Sequence, residues 1–330
     1  MQQDSNQKQV NGIGWFFVIT LVVHVALSVF VSLLVEKGLS IPVELQLVFS
    51  ELTVLVPTLI YALKNNINFR EDFGFKKIKV GTIFMAVLLA LLISPAATLV
   101  NLLSQLFVPN TMVMASDDLL SGSNVLILFL SAVYGPFCEE LCFRSAILKG
   151  YEKGAGFIKA LLISSLFFGF THLNVNQACY AILLGLFFSI INKASGSVYT
   201  SMIIHTCING GNMLMLMAST ALIDASGIEM DIAQAAETAR GMKSYMYVMI
   251  AVYLVLAIAG LAIAIPCVIW MAKHEGKLEE FKCAFSKNEN HKDGKVRAFF
   301  NVSAIVATLL SLFLIFGLDP LIAYFETCVK

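Results

Sequence analysis

Apolar residues in this chain run in blocks of about twenty, separated by short polar stretches. That length is what a helix needs to cross a bilayer core of roughly 30 Å. The pattern predicts helical spans at 14–35, 45–63, 81–108, 124–148, 157–172, 175–192, 198–220, 244–272 and 298–318. Spans four to seven are shorter and interrupted by polar residues. The expected fold class is an all-α polytopic membrane helix bundle of about nine transmembrane helices, with eight as the alternative count. Met1–Gly12 is polar, and the apolar stretch after it lacks a small-residue cleavage site. It therefore reads as a first transmembrane helix rather than a removable signal peptide.

The placement of Lys and Arg sets an expected orientation, because cytoplasmic segments are enriched in both. With the N-terminus cytoplasmic, the inner segments hold Lys8, the basic run Lys64–Lys79, Lys149, Lys153, Lys159, Lys193, and every Lys and Arg from Lys273 to Arg297. Only Lys37, Arg240, Lys243 and Lys330 fall outside, and Arg144 lies within a span. The loop 110–124 carries Asp117 and Asp118 without a base, and 220–244 is weakly acidic, as outer loops should be. The basic loop 273–297 alternates Lys and Glu without an apolar stripe and reads as a solvated cytoplasmic connector, with a partner-binding role as the lesser reading. No repeat or separate soluble domain is evident. Residues 1–330 are expected to form a single membrane domain, with a core at 124–215 flanked by helices at 14–108 and 244–318.

Composition sharpens this picture. Hydrophobic residues make up 58% of 330 and charged residues 13%, with a mean hydropathy of +0.82. A soluble domain carries roughly a quarter charged residues, so membrane lipid must be part of this protein's solvent. The formal net charge is zero, which excludes a global field that would attract nucleic acid. The seven cysteines lack paired spacing and read as small buried hydrophobes rather than a disulfide framework.

Ionisable groups at membrane depth cost several kcal/mol unless they are paired or hydrated, so each is a functional candidate. Between 134 and 212 they concentrate. Span four holds Glu139, Glu140 and Arg144, span five ends at His172, and span seven contains His205 and Asn209. Glu140 and Arg144 are four apart on one helix face, placed for an ion pair. Glu139 is offset by about 100° and is free to face a cavity. Pro136 removes one backbone hydrogen bond just before the carboxylates, which is tolerable at depth only where protein or a cavity satisfies the freed carbonyl. Counted from the inner helix ends, Glu139 lies at roughly 14 Å and His205 at roughly 10 Å. His172 computes deeper, so span five should begin late or tilt, and the site should open to the cytoplasmic half. A carboxylate beside an imidazole can hold and deprotonate water, and a His with an Asn amide supplies oxyanion donors. Peptide hydrolysis by water needs all of these parts.

The three motifs resemble those of the CPBP family of CAAX proteases and bacteriocin-processing enzymes, also called Abi. They stand here as Glu139-Glu140-Leu-Cys-Phe-Arg144, Phe168-Gly-Phe-Thr-His172 and His205-Thr-Cys-Ile-Asn209, with Lys193, Gly196 and Ser197 before the last. The resemblance covers about Leu126 to Asn212. It implies an intramembrane endopeptidase in which Glu139 is the general base, His172 helps activate water, and His205 and Asn209 stabilise the oxyanion. Glu140 and Arg144 would order the helix or help bind substrate. The implied partners are a peptide or protein substrate and membrane lipid. The implied setting is multi-pass, with a bacterial plasma membrane as the expected location and peptide maturation, bacteriocin processing or self-immunity as the expected roles.

The family is often labelled metalloprotease, and Glu139, His172 and His205 would be the ligands of a Zn²⁺ ion. Its best-studied relatives resemble metal-free, glutamate-dependent enzymes. With no His-Glu-x-x-His helix and an arginine nearby, no cofactor is the favoured reading. The rival classes are a proton-coupled transporter using the same groups as a relay, and a non-proteolytic membrane scaffold. The bland alternative for His205 and Asn209 is interhelical hydrogen bonding. His24 shows no partner in the sequence and reads as structural. Glu44 and Glu51 flank span two and are expected to snorkel or to face a pore rather than to catalyse.

Overall fold

A computed structural model describes residues 2–226, 232–286 and 301–317. Among the described residues it is all-helical, 84% helix without strands. The helices are α1 (Gln2–Glu36), α2 (Val43–Lys64), α3 (Val80–Ser104), the one-turn α4 (Thr111–Met114) and α5 (Ser116–Leu119), and α6 (Asn124–Ala155). They continue as α7 (Phe157–Phe170), α8 (Val175–Ser195), α9 (Val198–Ser226), α10 (Ile232–His274), α11 (Leu278–Ala284) and α12 (Val302–Phe316).

Each of the nine expected spans coincides with a helix, but their spanning capacity differs. Among the described residues, α1, α2, α3, α6, α8 and α10 are long and apolar enough to cross a membrane. Helices α7 and α12 are apolar but shorter. Helix α9 is long, yet its polar residues keep it out of the first group. The chain is a multi-pass integral membrane protein. Residues 298–300 and 318 of span nine lie outside the described residues, as do Cys328, Lys330 and loop positions 287–297. The short helix α11 occupies the described part of that loop.

Spans four and five depart from their expected edges in a way that matters. Helix α6 continues past residue 148 to Ala155, so Glu139 stands sixteen residues, about 24 Å, from its end. His172 stands fifteen residues, about 22 Å, beyond the start of α7 at Phe157. The mismatch between Glu139 and His172 therefore disappears without a late start to α7, because the helix before it is longer, whereas His205 stays seven residues, about 10 Å, from the start of α9.

Many hydroxyls inside the spans are satisfied locally. Thr20, Thr58, Ser94, Ser165, Thr171, Ser189 and Ser311 each donate to the carbonyl four residues back, which hides the hydroxyl from hydrocarbon. Small residues allow close approach. A Cβ on Gly185 would stand 2.9 Å from the Ser165 backbone, and one on Gly260 would overlap the Leu92 carbonyl. These contacts seat α8 on α7 and α10 on α3. Phe17 of α1 stacks on Phe167 of α7 at 4.0 Å, bringing the N-terminal helix against the middle of the molecule.

The basic segments meet at one end. Lys153 pairs with Asp72, Lys193 with Glu152 at 2.7 Å and Glu280 at 3.5 Å, and Lys79 donates to the His274 carbonyl. Loop 65–79 and the ends of α6, α8 and α10 thus lie together, as the charge pattern required. At the other end, Glu44 accepts from the Ser123 amide at 2.7 Å and caps α6. A small apolar cluster of Leu119, Ile127 and Met213 closes that end.

Candidate active site

The backbone of α6 changes pitch around the paired carboxylates. Leu130–Tyr134 and Leu141–Leu148 are π-helical, and the α-helical turn Gly135–Glu140 lies between them. Single π turns inside α-helices recur at functional sites because they redirect side chains. In the first π segment Gly135 N–H bonds to Leu130 O, five residues back. Pro136, next in that register, has no N–H to give to Ser131 O. The Asn209 side chain of α9 donates to that oxygen instead, at 3.3 Å. The carbonyl that Pro136 strands is thus satisfied by protein.

Glu140 and Arg144 are fully buried, with Arg144 Nε 3.5 Å from Glu140 Oε2. The guanidinium lies between two aromatic faces, 4.3 Å from the Phe168 centroid and 5.1 Å from that of Phe188. Cation–π contact of a desolvated guanidinium contributes about 2 kcal/mol. The other Glu140 oxygen is 3.1 Å from His205 Nδ1. His205 Nε2 in turn lies 3.4 Å from Glu139 Oε2. The imidazole is therefore held between two adjacent carboxylates, resting on Phe188 with centroids 4.8 Å apart. Glu139 is the less buried of the pair, with 17% of its side chain exposed against none for Glu140. Since Glu140 faces a permanent cation, it acts as the anion of the group, and His205 Nδ1–H donates to it. His205 Nε2 is then the nitrogen that faces Glu139.

His172 reaches the site from the other side of Phe168. Its ring packs edge-on against Phe168 at 5.2 Å, and its Nδ1 is 2.9 Å from the Phe168 carbonyl. A carbonyl only accepts, so Nδ1 carries the hydrogen, and in the neutral ring Nε2 keeps its lone pair. The turn that carries His172 is tightly specified. Leu173 has φ 56°, a left-handed value that costs a branched residue about 1–2 kcal/mol. Asn174 offsets it by donating to His172 O at 2.8 Å and accepting from Gln177 N at the start of α8.

Four of the six candidates form one chain of contacts: Arg144, Glu140, His205 and Glu139. Asn209 lies one turn along α9 from His205, and His172 flanks the chain across Phe168. Of the three side chains named for Zn²⁺, Glu139 and His205 stand together and His172 lies across Phe168. Among the described residues, no three His, Cys, Asp or Glu side chains gather as a metal would require. The ring that would contribute a ligand, His205, has both nitrogens turned to carboxylates.

Two residues from the N-terminal helices also belong to these surroundings. His24, which shows no partner in the sequence, has its Nδ1 2.7 Å from Thr53 Oγ1 of α2. Glu51, like Glu44, is half-buried. It lies against Gly135, where an added Cβ would stand 3.2 Å from Glu51 Oε1. Its position eight residues into α2, about 12 Å deep, was the signal that could have flagged it.

No curated protein and no solved structure matches the chain. Residues 121–211, which contribute all six candidate side chains, match the family model described as Type II CAAX prenyl endopeptidase Rce1-like. The site-bearing segment is therefore similar to a CAAX-type membrane protease domain, consistent with the CPBP family.

Proposed function

We propose that this protein is an intramembrane endopeptidase that hydrolyses a peptide bond of a membrane-associated peptide or protein. The observation that carries the reading is the placement of His205 between Glu139 and Glu140, 3.4 and 3.1 Å from their oxygens. A carboxylate and an imidazole within hydrogen-bond reach at membrane depth are the parts that water activation needs.

In this reading Glu139 and the Nε2 lone pair of His172 hold a water. The water oxygen attacks the substrate carbonyl carbon while its proton passes to the Glu139 carboxylate. His205 and the second amide hydrogen of Asn209 donate to the resulting oxyanion. As the carbon–nitrogen bond breaks, Glu139 returns that proton to the leaving nitrogen. Glu140 and Arg144 hold His205 in orientation. In this reading the N-terminus is cytoplasmic and the basic end faces inward. Substrate enters from the membrane or its cytoplasmic face, and a bacterial plasma membrane with a role in peptide maturation, bacteriocin processing or self-immunity suits these features.

Comparative peptidomics of cells carrying the wild-type protein or Glu139→Gln tests this. Peptides produced only by the wild type support hydrolysis. Identical profiles from two equally folded proteins would end the peptidase reading.

A further inference from the structure

Helix α2 lies outside the matched segment 121–211, yet it places a carboxyl against the turn that carries the paired glutamates. Glu51 Oε1 would be 3.2 Å, and its Cδ 3.5 Å, from a Cβ at Gly135. Gly135 precedes Glu139 by four residues within the α-helical turn Gly135–Glu140, so the two share a helix face. A Cβ there would press on the Glu51 carboxyl, whereas Leu130 O, at 3.4 Å from it, would be an ordinary contact. Glu51 is within electrostatic reach of Tyr134, Cys138 and Glu139. Among the described residues no cation faces Glu51. Arg144, paired with Glu140, is also within electrostatic reach of Glu139.

We propose that Glu51 is a positioning residue of this site, forming with Glu139 a paired-carboxyl unit whose two groups exchange protons as one coupled system. This rests on the peptidase reading above for its role, though not for its existence. Two carboxyls in one poorly solvated pocket do not both ionise freely, and their titration belongs to the pair. The groups around the unit are known. Tyr134 and Cys138 face it from α6, His205 of α9 touches Glu139, and Tyr180 of α8 lies within electrostatic reach of Glu139. From α1, His24 is held at Thr53, two residues along from Glu51. The physical consequence is that the N-terminal hairpin sets the protonation of the general base. The segment 121–211 would then not carry the complete site by itself.

The test uses the full-length protein in lipid vesicles and follows the infrared stretch of protonated carboxyls against pH. Wild type, Glu51→Gln, Glu139→Gln and Gly135→Ala are compared. In the wild type the pair titrates in two steps. Each Gln variant should leave one step, displaced from both wild-type steps by on the order of one pH unit. Gly135→Ala, which presses on the Glu51 carboxyl, should move the steps while keeping both. A Glu139 step that is unchanged in Glu51→Gln overturns the pairing. A parallel assay uses a fluorogenic peptide ending in a prenylated CAAX sequence. Cleavage with a displaced pH profile in Glu51→Gln, and none in Glu139→Gln, supports both ideas. An unchanged profile in Glu51→Gln sinks the pairing alone. Cleavage that survives Glu139→Gln sinks the peptidase mechanism and leaves the titration to judge the pairing.

Discussion

Asn209 and Pro136 are linked through a carbonyl that belongs to neither. Pro136 has no N–H for Ser131 O in the π-helical register of α6, and the Asn209 amide of α9 takes that place at 3.3 Å. The residue that the motif assigns to an oxyanion hole is thereby also a strut between two helices. In the proposed mechanism its second amide hydrogen is the one that meets substrate.

This linkage predicts non-additivity. Asn209→Ala should destabilise the protein by about 1–3 kcal/mol, the cost of an orphaned buried acceptor. Pro136→Ala restores a backbone donor, so the same Asn209→Ala change made in that background should cost measurably less. A double-mutant cycle from unfolding in mild detergent reads the difference. Strict additivity would show that the two residues are uncoupled.

Arg144→Ala leaves Glu140 buried without its cation and removes a guanidinium packed between Phe168 and Phe188. Breaking a buried pair in this way costs about 3–5 kcal/mol. Arg144→Lys should recover only part of this, since an ammonium cannot stack as a planar fork does. Thermal midpoints of the two variants in the same detergent check the order.

The two histidines should separate in their effects. His172 is bonded to the carbonyl one turn back on its own helix, so His172→Ala should lower cleavage by roughly 10²–10⁴-fold with a small change in stability. His205 bridges α9 to both glutamates of α6. His205→Ala should therefore lose cleavage and stability together. Equal stability losses for the two would contradict the geometry.

Close helix approach makes Gly260→Ala a severe change. Its methyl would overlap the Leu92 carbonyl, and a backbone atom cannot step aside as a flexible side chain does. The expected cost is about 1–3 kcal/mol, measured as a lowered unfolding midpoint. Gly211→Ala, where nothing lies within 4 Å of the added carbon, serves as the control.

At the basic end, the hydrogen bond from Lys153 holds the Asp72 carboxyl below its usual value, with the Asn68 amide adding to it. A depressed carboxylate stabilises the fold above its unfolded pKa of about 3.9, and that contribution is lost as pH falls through the lower, folded value. The protection of loop 65–79 amides, taken relative to intrinsic exchange, should accordingly fall as the medium is acidified into this range. Lys153→Ala should shift the onset of that loosening to higher pH.

How much of this was legible beforehand follows from what kind of information each feature needs. Helix existence was readable because apolar run length and bilayer thickness fix it, and each expected span holds a helix. The ion pair of Glu140 and Arg144 was readable from i,i+4 spacing alone. The end of α6 was not, because Lys149, Glu152 and Lys153 look like a loop until Lys193 and Asp72 are seen to pair with them. His24 looked solitary for the same reason: its partner Thr53 is on another helix.

By itself, then, the order of residues determined a membrane-embedded helical chain, which loops share an end, and which polar side chains had to find one another inside lipid. The pairing was decided only by tertiary structure. Only when α6, α7 and α9 meet does His205 find Glu139 on one nitrogen and Glu140 on the other, and only the crossing of α2 over Gly135 brings in Glu51. Spacing along a helix dictates which side chains share a face. Which faces meet depends on where glycine and other small residues let backbones close on each other, and that is a property of the packed molecule.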